Sequence, residues 1–206
     1  MKKNGQSDTS ESLAQWKLLT EGSNEAYTWI YNRYIHQLYQ YGCRFCADSE
    51  VVKDCIQNLF VNIYQNREKL TVPDNPKLYL MSALRNALFN TLNRNRLHDT
   101  YISNTAFDFD LSVEEQFIAD EEESSQSQTI AHLLNTLSPR QREIIYYRFY
   151  EDLQYDEICR LMDLNYQSAY NLFQRSLIKL RESSGLSVLF FIQINTLCLK
   201  NFIFYE

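Results

Sequence analysis

LNTLSPRQREIIYYRFYEDLQYDEICRLMDLNYQSAYNLFQRSLIKLRE, residues 134 to 182, decides the fold, because three capped amphipathic segments follow one another there with turn-length gaps. That arrangement predicts a helix-turn-helix. Its first helix opens on Ser138, Pro139 and Gln141, a Ser-x-x-Gln capping box with proline at the first helical position, and runs through Tyr150. In its last helix, expected over Asn165 to Arg181, Ala169, Leu172, Phe173, Leu177 and Leu180 recur at the spacing that lines one side of a helix, so they form the core face. The opposite side carries Gln167, Ser168, Asn171, Gln174 and Arg175. These short or planar hydrogen-bonding groups reach base edges and phosphates when such a helix lies in a major groove, which is the pattern of a recognition helix.

Outward from this motif, the 206 residues hold one ordinary domain or two small ones, and a 45% hydrophobic fraction suffices for packed cores. With only 4 Gly and 3 Pro, helical spacing throughout and almost no strict alternation, the chain is expected to be all-α. The net charge of -6 argues against a nucleic-acid binder until it is mapped. Residues 107 to 123, FDFDLSVEEQFIADEEE, hold eight of the 26 acids and no base, so the remainder of the chain is slightly basic. From Lys77 to Arg96 the bases Lys77, Arg85, Arg94 and Arg96 occur with no acid, a footprint suited to phosphates or, more plainly, a solvated helix face.

Residues 10–96 read as one compact domain of four helices. Ser10 or Ser12 is expected to cap a short helix that Gly22 ends, and Ser23 to cap a long one with the stripe Tyr27, Ile30, Tyr31, Tyr34, Leu38, Tyr41 and Phe45. Asp48 or Ser49 starts the third, with Val52, Cys55, Ile56, Leu59, Phe60 and Ile63 inward. Asn75 followed by Pro76 caps the fourth, with Leu80, Ala83, Leu84, Ala87, Leu88 and Leu92 inward. Residues 97–128 lose this periodicity and become acidic and serine-rich, which predicts a linker joining two small helical domains, the second spanning 129–183. The apolar stretch 184–206 is interrupted by Gln193, Asn195, Thr196, Lys200 and Asn201, too often for a membrane span of about 20 apolar residues, and reads as an extra helix packed on the protein or a partner.

Two helical domains, an acidic linker and this helix-turn-helix together resemble the two-domain sigma factors of bacterial RNA polymerase, the extracytoplasmic-function group of the sigma-70 family. DCIQNLF, Asp54 to Phe60, resembles the family's D-x-x-Q-E-x-F, LYLMSALRNALFNTLNR, Leu78 to Arg94, its A-Y-L-x-x-I-A-R-N-x-x-x-D-x-x-R, and LSPRQREIIYYRFYEDLQYDEI its second domain. The resemblance implies that Asp54, Gln57 and Asn58 dock on the clamp helices of the largest subunit of core RNA polymerase, with the flap of the second subunit as a further contact. Asn58 stands where the family has glutamate, which removes a charge and keeps an acceptor. Lys69 to Arg96 is implied as the promoter-melting region. The loop Lys69 to Asn75 with Asn86 would hold a flipped base, Tyr79 is a candidate stacker or else a core aromatic, and Lys77, Arg85, Arg94 and Arg96 would hold the backbone. The acidic linker would occupy space near the RNA path. Promoter DNA and an anti-sigma factor, membrane-bound or not, complete the implied partners, and the implied place is the cytoplasm.

Two departures from the family pattern matter. Such sequences usually carry a glycine at the turn and a lysine or arginine near Tyr170 or Leu172, whereas here the turn residue is Asp163. Aspartate tolerates a left-handed backbone, so the turn survives, but phosphate neutralisation weakens.

Other classes are less well supported. Cys43 and Cys46 form a C-x-x-C with His36 upstream and Cys55, His98 and Cys159 as conceivable completers of a zinc site, yet helix spacing turns Cys43 and Cys46 toward the core, where free cysteine acts as a small hydrophobe. No metal and no cofactor are expected. The absence of a glycine-rich phosphate loop, an H-E-x-x-H or a serine elbow argues against an enzyme. The nearer rival is a stand-alone helix-turn-helix regulator that binds operator DNA as a dimer. From the scarcity of positive charge, the isolated second domain is expected to bind duplex DNA weakly, and tight, strongly salt-dependent binding in a gel shift would contradict this.

Overall fold

The structure is a computed structural model that describes residues 3–96, 107 and 131–184, without side chains at 3–8, 95, 96 and 184. The acidic linker other than Phe107, and the apolar tail from residue 185, lie outside the described residues. Every regular element among the described residues is a helix, and they form two units divided between Ala106 and Phe107.

In the first unit, α1 (Lys3–Thr20), α2 (Asn24–Cys43), α3 (Ser49–Asn66) and α4 (Pro76–Arg96) pack around one core, with a short 3-10 turn at Arg67–Lys69. Three starts follow local chemistry. Ser23 Oγ accepts the Ala26 N–H at 3.2 Å, Asp48 Oδ1 accepts the N–H groups of Glu50 and Val51 at 3.0 and 3.4 Å, and Asn75 Oδ1 accepts that of Leu78 at 3.1 Å just before Pro76. Each satisfies donors that the first helical turn otherwise leaves open.

The start of α1 departs from the sequence expectation. The helix begins at Lys3 and neither Ser10 nor Ser12 caps it. Ser12 is instead buried within it, and its Oγ accepts the Tyr34 hydroxyl at 2.7 Å, a bond between α1 and α2. A helix interior reclaims a serine when its hydroxyl finds a partner across the interface. The far end is as expected, since Gly22 takes φ +97° and stops the helix where a side chain would be strained.

The core of this unit is largely aromatic. Trp16, Tyr41 and Phe60 are fully buried, joined by Ile30, Val52, Leu80, Leu84 and Leu88. Gly42 decides how closely α2 and α3 approach. A Cβ there would lie 2.6 Å from Val52 Cγ1, and 3.6 and 3.7 Å from methyls of Leu84 and Leu88 on α4. Three helices therefore meet at a position that has room only for hydrogen.

The second unit comprises a helical turn at 131–135, then α5 (Pro139–Phe149), α6 (Tyr155–Met162) and α7 (Tyr166–Ser184). The capping box forms as expected: Ser138 N–H donates to Gln141 Oε1 at 3.0 Å, and Gln141 N–H to Ser138 Oγ at 3.4 Å. Between α6 and α7, Asp163 adopts φ 51° and ψ 57°, the left-handed conformation expected of the turn. Ile144, Tyr147, Ile158, Leu161 and Ala169 close the core. Phe107 joins it, fully buried with its ring 5.3 Å from Tyr146 and 6.4 Å from Tyr147. One aromatic of the expected linker thus belongs to the second unit's core, a placement that burial of about 2–3 kcal/mol of apolar ring makes favourable.

Replacing Gly42 with alanine forces a methyl against Val52 and should lower the stability of the first unit by about 1–3 kcal/mol. Trp16 and Trp29 both lie in that unit, so urea unfolding followed by tryptophan fluorescence reads the loss directly.

Candidate functional site

Three outward faces collect the polar residues singled out by sequence. On α7, Asn165 caps the helix by accepting the Ser168 N–H at 2.8 Å, which fixes the register of every residue after it. Ala169, Phe173 and Leu180 point inward, and Ser176 joins them with its hydroxyl donated to Leu172 O at 2.7 Å. Leu172 and Leu177 are half-buried. At roughly 100° per residue, Gln167, Asn171 and Gln174 fall on the outward side, with Ser168 and Arg175 on one flank. Gln167, Asn171 and Arg175 are exposed, and Ser168 and Gln174 are half-buried.

Gln167 Nε2 donates to Asn171 Oδ1 at 3.0 Å. A pair of this kind stabilises a helix by only about 0.2–0.5 kcal/mol, so both amides can be re-paired to an incoming hydrogen-bonding edge at little cost. Planar amides so placed match the donor and acceptor pattern of adenine in a major groove.

Sequence reasoning missed the apolar part of this surface. Ile178 stands 55% exposed on the same outward side, and Tyr166 and Tyr170 are 56% and 41% exposed along one flank. The two tyrosines pack on Tyr155 at the start of α6, with ring centroids 5.4 and 5.9 Å away, and Tyr155 also meets Phe173 edge-on at 5.9 Å. Burial pushes the Tyr155 phenol up, so the ring stays neutral, and the Arg148 guanidinium lies 6.0 Å from its centroid. The signal available in the sequence was the spacing of Tyr166 and Tyr170, one turn apart.

On α3, Asp54, Gln57 and Asn58 share one exposed face as expected, and none of the three side chains has a hydrogen bond or ion pair among the described residues. One turn further, Val61 is 42% exposed on the same face. Lys53, beside them, is held by Glu50 at 2.7 Å.

The α4 residues are more dispersed. Tyr79 and Asn86 are exposed on one outward side, where helical spacing also puts Asn90 and Asn93. Tyr79 is only partly available, because its ring meets the buried Trp16 edge-on at 5.3 Å. Arg85 and Arg94 fall on opposite flanks. The Arg85 guanidinium lies 4.5 Å from the Phe89 ring centroid and 5.9 Å from that of Phe45, whereas Arg94 is exposed. Lys77 is half-buried in the first turn, and Arg96 ends the helix with its side chain outside the described residues. Asn75 and Asn86 are roughly 16 Å apart along the axis, so the structure does not bring the cap residue and Asn86 together.

The cysteines sit apart from these faces. Cys46 is buried and donates Sγ–H to Asp48 O at 3.6 Å, burial pushes its thiol up, and buried Cys55 contacts Thr91 Oγ1 at 3.6 Å. No group of three His, Cys, Asp or Glu among the described residues is placed to hold a metal, and His98 lies outside them. No helix among the described residues is long and apolar enough to cross a membrane.

Comparison with known proteins agrees with this division. The family model described as Sigma-70 region 2 matches residues 30–98, and that described as Sigma-70, region 4 matches residues 127–180. Among solved structures, CnrH, determined in complex with the cytosolic domain of CnrY, superposes with a TM-score of 0.54 at 16% identity, covering 83% of this chain and 95% of that one. The sigma factor RpoE of Bartonella quintana, determined with the anti-sigma factor NepR, gives 0.53 at 15% identity, covering 74% and 92%. At such identities the likeness is one of fold. No curated protein sequence matches the chain.

Stacking on Phe89 gives Arg85 a structural share that Arg94 lacks. Arg85→Ala should cost the first unit about 0.5–1 kcal/mol in urea unfolding, while Arg94→Ala stays within about 0.5 kcal/mol of the parent.

Proposed function

The chain belongs to the sigma-70 family, as a two-domain sigma factor of the extracytoplasmic-function kind that directs transcription initiation, and from that premise we propose how its surfaces divide the work. The outer face of α3 holds core RNA polymerase. The observation that carries this is the set Asp54, Gln57 and Asn58, exposed together and without hydrogen-bond or ion-pair partners among the described residues, with Val61 adding apolar area beside them. A face of unpaired hydrogen-bonding groups around an exposed aliphatic residue has the make-up of an interface, where the partner supplies the missing bonds and covers the apolar centre. The clamp helices of the largest subunit fit this role by family resemblance.

The outward side of α4 then meets promoter DNA where it opens. Asn86 offers both a donor and an acceptor to an unpaired base edge, and Tyr79 offers part of a ring for stacking. Arg94, exposed on one flank, supplies charge to the backbone. On the second unit, Gln167 and Asn171 of α7 read base edges of the start-distal element. The protein catalyses no reaction itself. Binding to polymerase and to single-stranded bases supplies the free energy that melting requires.

RpoE was determined with an anti-sigma factor bound and CnrH with the cytosolic domain of CnrY, which supports an anti-sigma partner for this chain as well, and a cytoplasmic place of action where polymerase works.

The test is association with core polymerase. Purified protein mixed with bacterial core enzyme should co-elute in size exclusion, and Asp54→Ala with Gln57→Ala should weaken that association by about tenfold or more. Absence of association, together with tight binding to duplex DNA alone, would instead identify a stand-alone dimeric regulator.

A further inference from the structure

Nine residues at the start of α7, Tyr166 to Gln174, contain no charged side chain, although this is the part of the helix that enters the groove in the reading given above. A duplex carries about one phosphate charge per 1.7 Å of its axis, and a surface that docks on it must satisfy those oxygens with donors. Asp156, exposed in the first turn of α6, adds repulsion, while Glu157 turns its carboxylate onto the Gln154 N–H at 2.9 Å. Arg148, whose guanidinium lies 6.0 Å from the Tyr155 ring centroid, is tied to Leu153 O at 3.0 Å and to Asp152 at 3.7 Å. Arg175 is exposed on the opposite flank, so within residues 166–174 the flank beside Gln167 and Gln174 has only neutral donors to offer.

We propose that Tyr166 and Tyr170 donate their hydroxyls to backbone phosphates beside the bases read by Gln167 and Asn171, giving this flank of α7 neutral phosphate contacts in place of cationic ones. The proposal rests on α7 being the recognition helix. Both hydroxyls are without a hydrogen-bond partner among the described residues, and both residues are exposed. They are nevertheless held in place, since Tyr155 lies 5.4 and 5.9 Å from them and is itself braced by Phe173. A tyrosine has two side-chain torsions to fix, and rings already packed have lost part of that freedom before DNA arrives. Tyr166 and Tyr170 lie on one flank of α7, beside Gln167 and Gln174, and groove-flanking phosphates lie to the side of the base edges that a central residue touches. Tyrosine is a regular donor to phosphate oxygens.

Neutral donors carry a distinctive signature. Counterions leave the duplex when cations neutralise phosphates, so a hydroxyl contact adds affinity without adding to the salt slope. A ring that merely packs against Tyr155 would be indifferent to loss of its hydroxyl.

The experiment uses the full chain assembled with core polymerase, and as probe a duplex that this assembly selects from a random-sequence pool. Tyr166→Phe and Tyr170→Phe should each weaken binding about fivefold to tenfold, with the slope of log K against log salt unchanged. Ethylation of particular phosphates that blocks binding of the parent should cease to matter in the matching variant. Tyr170→Lys should recover affinity at low salt and steepen the slope by about 0.9. Phe variants that bind like the parent, with the same ethylation pattern, overturn the proposal. Gln167→Ala with Asn171→Ala separates the two levels. If that variant loses the upstream contact while the Phe variants are silent, only the tyrosine proposal fails. If it leaves upstream protection intact, α7 is not the recognition helix and both fail.

Discussion

At Gly42 the backbone of α2 runs within van der Waals reach of Val52 on α3 and of Leu84 and Leu88 on α4, and a single methyl group would close that space. Helices pack at distances set by the side chains at their crossing point, so the smallest side chain fixes the closest approach. The consequence extends to the surface. With its inner face locked by Val52, Cys55, Ile56 and Phe60, α3 has no rotational freedom about its axis, and Asp54, Gln57, Asn58 and Val61 are held outward as one face. On α4 the burial of Leu80, Leu84 and Leu88 turns Asn86 outward in the same way. The surface proposed for function in this unit is the complement of its core.

Much of this was legible because helix boundaries are local. Ser23, Asp48, Asn75, Ser138 and Asp163 act on backbone groups within a few residues, and all five take the roles that their chemistry assigns. What escaped the sequence depends on contacts between distant residues. Ser12 looks like a cap until Tyr34 claims its hydroxyl, and the need for glycine at position 42 arises only when Val52 is brought against it. Arg85 counts as one more phosphate-facing base in the sequence, yet the rings of Phe89 and Phe45 lie under it. Periodicity assigned Gln167, Asn171 and Gln174 to one side correctly, but says nothing about how Tyr155 gathers Tyr166 and Tyr170. Position around a helix is a sequence property, whereas occupancy by a neighbour is not.

The charge distribution gains meaning from the same geometry. Acids crowd into residues 107–123, while the groups that the proposed reading offers to nucleic acid on α7 are mostly neutral, amides, phenols and a hydroxyl beside the one guanidinium of Arg175. Such a surface attracts DNA little at a distance, since steering grows with charge and neutral hydrogen bonds act only at contact. Selectivity gains from this arrangement. A protein that clings weakly to arbitrary duplex spends less of its time on the wrong sequence, and its site recognition depends more on directional bonds and on delivery by a bound polymerase.

Burial of Phe107 changes the arithmetic of the connection between the two units. If the whole stretch 97–128 were free, its contour would exceed 100 Å at roughly 3.3–3.6 Å per residue. With Phe107 seated against Tyr146 and Tyr147, only residues 97–106 separate the end of α4 from the second unit's core, and that length spans at most about 40 Å however it is arranged. In the proposed reading, once one unit has engaged a promoter the other searches a volume more than tenfold smaller than the longer connection would allow, and its effective concentration at the second element rises accordingly. On that reading a single aromatic side chain acts as a ruler, limiting the separation of promoter elements that one molecule would occupy at once.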